Sequence, residues 1–484
     1  MGLFGTNGVR GILGGDLTLG GIHDIVMALA AHVGRGPVLV GRDGRDTSAP
    51  ISSMVRSSLA YAGVDCADAG LVPTPCLQLA VRELGYAAGI MATASHNPPE
   101  YGGIKLVWGD GIEASREDEA AIERIHAARS WTASPPWGTG SSEARALQAY
   151  RAGVCARVDA GAISRAGLRI VLDLGNGAQA AVAEGIMSGM CDGVTCINSA
   201  IDAEFPGRGP EPKPDNLSGL SRAVRDSGAD IGVAFDGDGD RSMICDERGR
   251  ILSGDVSALL LADYLLSRNA GAEIVTPINS GDAIEEVASR TGSRVVRTGV
   301  GSVTVSREMA RRGALAGFEE NGGFMYGPHL PVRDGCMTAA LALESLARSR
   351  RPLSSAVAAL PESFTAKASV RCPGGAAALA LESLARSRRP LSSAVAALPE
   401  SFTAKASVRC PGGAAALALE SLARAHPGAD TRDGVKVRLG PRRWAMARQS
   451  GTEPIIRIYA ESDSAAGLEA LLAEYTRKVS DALA

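Results

Sequence analysis

The sequence predicts a multidomain α/β protein made of three consecutive α/β segments and a smaller C-terminal α+β one. Three observations carry that expectation. At 484 residues the chain exceeds what one hydrophobic core normally serves, so several domains with separate cores are expected. Short apolar runs that end in Gly, Asp or Ser loops lead repeatedly into Ala/Leu-rich stretches of helical periodicity, the pattern of βα units. Composition breaks near Ser130 to Ser142, near Gly249 to Gly254 and after Leu353 divide the chain into 1–142, 143–250, 251–362 and 363–484.

Taken in order, the predicted strands are Pro37 to Val40, Ala87 to Met91, Ile170 to Leu172, Ile231 to Phe235 and Glu273 to Thr276. In open α/β sheets ligands gather beyond the carboxyl ends of strands, where loops and helix N-termini point. The polar loops that follow these runs are therefore where chemistry is expected. Residues Ala339 to Arg386 recur without a single change as Ala377 to Arg424, at an offset of 38. Structural repeats share a pattern while differing at most positions, so perfect identity points to a recent or artificial tandem copy and not to a solenoid. Each copy holds an amphipathic helix (Leu341, Leu343 and Leu346 in the first) and a Thr-Ala-Lys-Ala-Ser-Val-Arg-Cys strand. One fold position accepts one copy, so the other is expected to be looped out or loosely docked.

With 45% hydrophobic and 21% charged residues and a net charge of -3, the chain reads as an ordinary globular protein with no general attraction to nucleic acid. Any anionic ligand must be captured locally. Met1 to Arg10 lacks the charged head and apolar body of a leader, and no stretch approaches the roughly 20 apolar residues of a membrane span. The expected location is the cytoplasm, with no membrane partner. The nine cysteines form neither a C-x-x-C pair nor a cluster at zinc spacing, which favours reduced thiols. Lysine occurs six times against 44 arginines, so Lys105, near a candidate nucleophile, stands out.

That nucleophile is Ser95, in Thr93-Ala-Ser95-His96-Asn97-Pro98-Pro99, which follows a predicted strand and precedes Tyr101-Gly-Gly-Ile-Lys105. A hydroxyl, an imidazole and an ammonium so close in sequence suit covalent phosphoryl transfer, with His96 or Lys105 neutralising charge or moving a proton. The bland alternative is a turn before two prolines, and the later motifs weigh against it. Asp236-Gly-Asp238-Gly-Asp240-Arg241 ends the strand Ile231 to Phe235. Its alternating carboxylates on a glycine-loosened loop can converge on a hard cation such as Mg²⁺, with a phosphate completing the shell. An EF-hand is the rival, but its sixth position requires Gly where this chain has Arg241, and Ser242 to Cys245 reads as a strand. Gly317-Phe-Glu319-Glu320-Asn321-Gly-Gly323 offers a carboxylate and an amide of the kind that bind vicinal sugar hydroxyls. Arg448-Gln-Ser450-Gly451-Thr452-Glu-Pro-Ile-Ile-Arg457 combines two guanidinium groups, two hydroxyls and exposed backbone donors, a phosphate cradle before the strand Ile455 to Tyr459. Neither a Walker A loop nor a G-x-S-x-G elbow is present, which disfavours kinase and serine-hydrolase chemistry.

In this order the strings resemble the α-D-phosphohexomutase family. The likeness extends to Phe4-Gly-Thr-Asn-Gly-Val-Arg10-Gly, Gly41-Arg42-Asp43, Val72-Pro-Thr-Pro75, Leu174-Gly-Asn176-Gly, Phe205-Pro206 and Arg297-Thr-Gly-Val-Gly301, nearly the whole chain. The resemblance implies four domains around a central cleft, the last closing over substrate. It implies that Ser95 carries the phosphoryl group, and that Asp236, Asp238, Asp240 and the seryl phosphate bind Mg²⁺, with Arg241 beside them. Arg10, His96 and Lys105 match positions near the phosphoserine. Glu319 and Asn321 match the sugar-hydroxyl pair, and Arg448, Ser450, Gly451 and Thr452 the distal phosphate site. The implied reaction on a small-molecule sugar phosphate runs through a sugar 1,6-bisphosphate, which also primes the enzyme. Two departures stand out. Asn321 and Gly323 occupy positions where many bacterial relatives carry serine and histidine, as in archaeal members, and the tandem copy crosses the junction of the third and fourth domains. Without one copy the chain has 446 residues (484 minus 38). That length and the FGTNGVRG opening resemble the glucosamine-phosphate branch, so glucosamine 6-phosphate is the expected substrate. The same chemistry on mannose or glucose phosphate is the alternative, as is sugar-phosphate binding without catalysis if the copy displaces the closing domain.

Overall fold

A computed structural model describes residues 3–5, 7–34, 36–133, 135–361, 364–370, 408–409, 423–424, 426–440, 443–450, 455–462 and 464–481. The chain folds into two compact units, Gly2–Val275 with Gly301–Ala359, and Thr276–Val300 with Leu360–Ala484. Thr276–Val300 thus groups with the C-terminal residues, although it lies inside the third segment of the sequence. Among the described residues no helix is long and apolar enough to cross a membrane, and the seven described cysteines are free.

The larger unit is multilayered α/β. Its first sheet contains β1 (Val9–Ile12), β2 (Val38–Arg42), β3 (Cys66–Leu71), β4 (Ala88–Ala92), β5 (Tyr101–Trp108) and β6 (Gly140–Ser142), in the order β1-β5-β4-β2-β3-β6. β2 runs parallel to β3 and β4, as βα units require. β5 is antiparallel to both β4 and β1. Tyr101 to Lys105 is therefore a strand, despite Gly102 and Gly103, and the extended backbone carries Lys105 away from Ser95. The helix Leu19–Val33 starts where Thr18 Oγ1 accepts the Gly21 N–H (3.0 Å). Its Ile22, Ile25, Val26 and Leu29 are buried with Val38, Val40 and Ile90 of the sheet, each burial contributing on the order of 1.5–3 kcal/mol.

The second sheet, β7 (Arg169–Asp173), β8 (Gly193–Ile197), β9 (Ile231–Phe235) and β10 (Ser242–Asp246), has the order β10-β9-β7-β8. β9 and β10 are antiparallel, with Phe235 opposite Ser242, so Asp236 to Arg241 is the turn between two strands. The flanking helices of an EF-hand are not there. β11 (Glu273–Pro277) runs parallel to β13 (Ala316–Phe318), which continues antiparallel into β14 (Phe324–Tyr326) and β15 (Leu330–Arg333). The helix Gly335–Ser349 begins where Asp334 Oδ1 accepts the Met337 N–H (3.0 Å) and buries Leu341, Leu343 and Leu346.

The smaller unit is α+β. It contains the helix Ala283–Ser289, β12 (Arg294–Thr298), β16 (Phe364–Val370), β17 (Val408–Arg409), β18 (Val435–Gly440), β19 (Arg443–Gln449), β20 (Ile455–Ser462) and the helix Ala465–Asp481. The order β16-β20-β19-β18 is antiparallel throughout. Ile278, Trp444, Met446 and Tyr459 form a core cluster in this unit.

The tandem copy leaves a trace in this sheet. Val370 and Val408, the same residue of the two copies, both pair with Ile456 of β20. The opposite edge of Ile456 is taken by Gln449, so both valines meet one edge. Apart from residues 408–409 and 423–424, the second copy lies outside the described residues, and so does the expectation that one copy is looped out.

Because one edge position serves two identical strings, one copy is redundant for the sheet. Removing 38 residues yields the same 446-residue chain (484 minus 38) whichever copy is deleted. That chain should unfold at the same or a higher temperature than the parent, since closing a segment of that length costs on the order of 3 kcal/mol. A lower midpoint by calorimetry would show that both copies support the fold.

Candidate active site

Ser95 lies just past the end of β4 with φ at 52°, a left-handed conformation that costs a non-glycine residue about 1–3 kcal/mol and needs support. Support comes from both sides. Ser95 N–H donates to Thr93 Oγ1 (2.8 Å), and Thr93 Oγ1 donates to Asp43 Oδ2 (2.6 Å). Arg45 Nη2 donates to the carbonyls of Ser95 (2.7 Å) and Asn97 (2.6 Å), and Nη1 to that of Pro98 (2.7 Å). Arg45 is itself buried, pairs with Asp43 (3.2 Å) and lies over the Phe205 ring (4.9 Å). Ser95 Oγ stands 3.3 Å from Asp236 Oδ2 and 3.4 Å from His96 Nδ1.

The acidic turn can approach this closely because of its glycines. A Cβ on Gly237 would stand 2.6 Å from the Ser95 carbonyl oxygen, and Gly239, at φ +77°, would drive one into Gln179. Asp236, Asp238 and Asp240 are buried, and one oxygen from each lies within 4.8 Å of the others, so the three can hold a metal ion. Their outer oxygens are committed. Asp238 Oδ2 accepts from Thr74 Oγ1 (2.6 Å) and Lys105 Nζ (2.6 Å), and Asp240 Oδ2 from Lys105 Nζ (2.8 Å) and Arg333 Nη2 (2.6 Å). Asp238 Oδ1 and Asp240 Oδ1 are buried with no hydrogen-bond partner, which is how acceptors reserved for a cation should stand.

The charges follow from this wiring. Burial opposes ionisation of Asp238, yet Lys105 and the Thr74 hydroxyl hold its carboxyl below the ordinary value. At Asp240 burial is likewise outweighed, by Arg333 and Lys105. At Asp236 burial and the charges of Asp240 and Asp238 outweigh Arg241 and push the carboxyl well above the ordinary value. A divalent cation would relieve that repulsion. Burial pulls Lys105 down, but Asp238, Asp240 and Glu113 more than reverse it, so it stays an ammonium. Burial, with Arg241 and Arg10 nearby, lowers His96 well below the usual imidazole value, leaving a neutral ring able to accept a proton.

Lys105 thus serves the acids and not the Ser95 hydroxyl. Arg10 Nη1 donates to the Ala94 carbonyl (3.2 Å) and Asn97 Oδ1 (2.8 Å), and the Arg241 backbone N–H donates to Asp236 Oδ1 (3.0 Å). The Nε groups of Arg10 and Arg241 are buried and make no hydrogen bond, Arg241 Nε standing 3.8 Å from Asp240 Oδ1, which leaves both able to donate to anionic oxygens. On the loop between β13 and β14, Glu319 is buried 3.4 Å from Arg333 Nη1, and Asn321 Oδ1 accepts the Gly323 N–H (3.1 Å). Arg448, Ser450 and Arg457 belong to the smaller unit. There Arg448 Nε donates to Asp433 (2.8 Å), Ser450 N–H donates to the Ile455 carbonyl (2.8 Å), and Arg457 lies opposite Arg448 across the β19–β20 pair. Gly451 and Thr452 lie outside the described residues.

Sequence reasoning did not assign roles to Arg45, Thr74 and Arg333. The strings Gly41-Arg42-Asp43 and Val72-Pro-Thr-Pro75 marked the first two neighbourhoods. Arg333 carries no local signal.

Four family descriptions match in order: phosphoglucomutase/phosphomannomutase alpha/beta/alpha domain I over residues 1–133, domain II over 148–249, domain III over 253–364 and the C-terminal domain over 406–478. A phosphoglucosamine/phosphogalactosamine mutase of Sulfurisphaera tokodaii is 36% identical over 95% of both chains. A phosphoglucomutase/phosphomannomutase of Thermococcus kodakarensis is 33% identical over 96% of this chain and 95% of its own. The solved structure of a phosphoglucomutase/phosphomannomutase family protein from Burkholderia thailandensis has the same fold, with a TM-score of 0.79 at 24% identity over 99% of this chain and 97% of that one.

Replacing Lys105 by Met leaves two buried carboxylates without their shared cation. In metal-free protein this should cost about 3–5 kcal/mol, read as a lower urea midpoint. Added divalent cation should raise the variant's midpoint more than the parent's. An unchanged midpoint would show that the acids are neutralised by protons and not by Lys105.

Proposed function

The chain belongs to the α-D-phosphohexomutase family, and on that premise we propose that it interconverts glucosamine 6-phosphate and glucosamine 1-phosphate through a phosphoserine at Ser95. The class of reaction is that of the family: an isomerase that moves a phosphoryl group within a hexose phosphate. The observation that carries the assignment of Ser95 is its position. A strained, externally supported hydroxyl stands 3.3 Å from one carboxylate of a triad in which Asp238 Oδ1 and Asp240 Oδ1 make no hydrogen bond, with the Nε donors of Arg10 and Arg241, which make none either, alongside.

Asp236, Asp238 and Asp240, with the seryl phosphate, would hold Mg²⁺, which supplies neutralisation of the charge on the phosphoryl oxygens. In the first transfer the free hydroxyl oxygen of the sugar phosphate bonds to the phosphorus on Ser95, the Ser95 Oγ–P bond breaks, and the hydroxyl proton passes by way of the His96 ring to the departing Ser95 Oγ, 3.4 Å from it. Arg10 and Arg241 pair with the phosphoryl oxygens. The product is a sugar 1,6-bisphosphate, and its reorientation presents the other phosphoryl group to Ser95 Oγ, which takes it back. A ligand with phosphate at both ends needs a second anion site, the role we assign to Arg448, Ser450, Gly451, Thr452 and Arg457. Glu319 and Asn321 accept and donate to the ring hydroxyls.

The amino sugar is favoured by the Sulfurisphaera tokodaii relative and by the 446-residue length that remains without one copy (484 minus 38). The Thermococcus kodakarensis relative favours a second reading, mannose or glucose phosphate.

Ser95→Ala should abolish turnover even when a sugar bisphosphate and Mg²⁺ are supplied, and phosphopeptide mapping of the parent should find the phosphate on Ser95. Among glucosamine, glucose and mannose 6-phosphates, kcat/KM should favour glucosamine by about 10-fold or more, the scale of one well-read contact. A preference for a neutral sugar would move the assignment to the second reading.

A further inference from the structure

We propose that Arg333 is a positioning residue that couples the cation site to the carboxylate that reads the sugar hydroxyls; this rests on the function proposed above. Its guanidinium fork holds one acid with each terminal nitrogen, Nη2 at 2.6 Å from Asp240 Oδ2 and Nη1 at 3.4 Å from Glu319 Oε2. The two acids come from different places, the β9–β10 turn and the β13–β14 loop, and all three side chains are buried. A lysine is a point charge and cannot span them in this way.

Each end of the fork does a different job. At Asp240, Arg333 and Lys105 share Oδ2, which leaves Oδ1, without a hydrogen bond and 3.8 Å from Arg241 Nε, able to ligate a cation. At Glu319, burial raises the carboxyl above its ordinary value and Arg333 offsets part of the rise, so a closer Arg333 contact is what favours the ionised form that accepts hydroxyl protons. A cation drawing on Asp240 weakens its claim on Arg333, and the long contact to Glu319 can then tighten. Filling one site therefore favours filling the other.

The surroundings are built for this side chain. A Cβ on Gly323 would lie 2.5 Å from Arg333 Cδ and 3.0 Å from Cγ, so the bare glycine leaves the lane the arginine uses. The next residue, Asp334, anchors the backbone: its N–H donates to the Phe324 carbonyl (3.1 Å) and its carboxylate accepts from Tyr150 (2.6 Å) and the Met337 N–H (3.0 Å). Gly323 is thus a second place at which the coupling can be broken without touching the charge.

The test is Mn²⁺ binding to the full-length protein, followed by paramagnetic resonance with and without glucosamine, glucose or mannose 6-phosphate. In the parent, sugar phosphate should tighten Mn²⁺ by about 5-fold or more, the scale of a coupling between sites. Arg333→Lys should weaken Mn²⁺ alone by about 10-fold and reduce the sugar effect to less than about 2-fold. Gly323→Ala should reduce the sugar effect in the same way while changing Mn²⁺ alone less. Full coupling in both variants, or no coupling in the parent with any of the three sugars, overturns the proposal. Coupling present in the parent with mannose or glucose phosphate only, and lost in the variants, upholds it and removes the glucosamine assignment instead.

Discussion

Three carboxylates on one turn cannot be buried together unless positive charge is buried with them. Lys105 supplies the first share, lying 2.6 Å from Asp238 and 2.8 Å from Asp240. It reaches them because β5 is an extended strand in the first sheet, while the acids sit at the end of β9 in the second. The pair is therefore a junction between two sheets as well as a local ion pair. Removing either side would leave an uncompensated buried charge.

The same economy explains the loop around Ser95. A left-handed serine at 52° is held by hydrogen bonds on both sides of its peptide, and Arg45 donates to the loop carbonyls of Ser95, Asn97 and Pro98 instead of to a ligand. That rigidity matters for phosphoryl transfer, where most of the catalysis is positioning and charge. The Ser95 hydroxyl makes long contacts to Asp236 and His96, at 3.3 and 3.4 Å, so its oxygen is held by the backbone while its bonding capacity stays open.

What the sequence made legible was local. Alternating Asp and Gly at the end of an apolar run imply convergence of carboxylates on a turn, and the strands Ile231 to Phe235 and Ser242 to Asp246 stand on either side of it. The α/β class was legible because buried parallel strands read as continuous apolar runs. β5 was not, since Tyr-Gly-Gly carries weak strand preference and gains its structure from pairing with β4 and β1 on both edges. Arg333 was not, because its partners Asp240 and Glu319 are 93 and 14 positions away, beyond any spacing rule. The grouping of Thr276–Val300 with the C-terminal residues was likewise invisible, as it depends on packing such as Ile278 against Trp444 and Tyr459.

The tandem copy tests how far identity of sequence decides structure. Val370 and Val408 have the same neighbours for several residues on either side, so local propensity and pattern cannot tell them apart. What distinguishes them is how much of the edge each one pairs with. β16 pairs with β20 from Phe364↔Ser462 to Val370↔Ile456, whereas β17 reaches the same edge only at Ile456 and Ile455. Two segments with the same pattern and unequal pairing show that the partner edge, and not the segment's own propensity, decides how much strand forms.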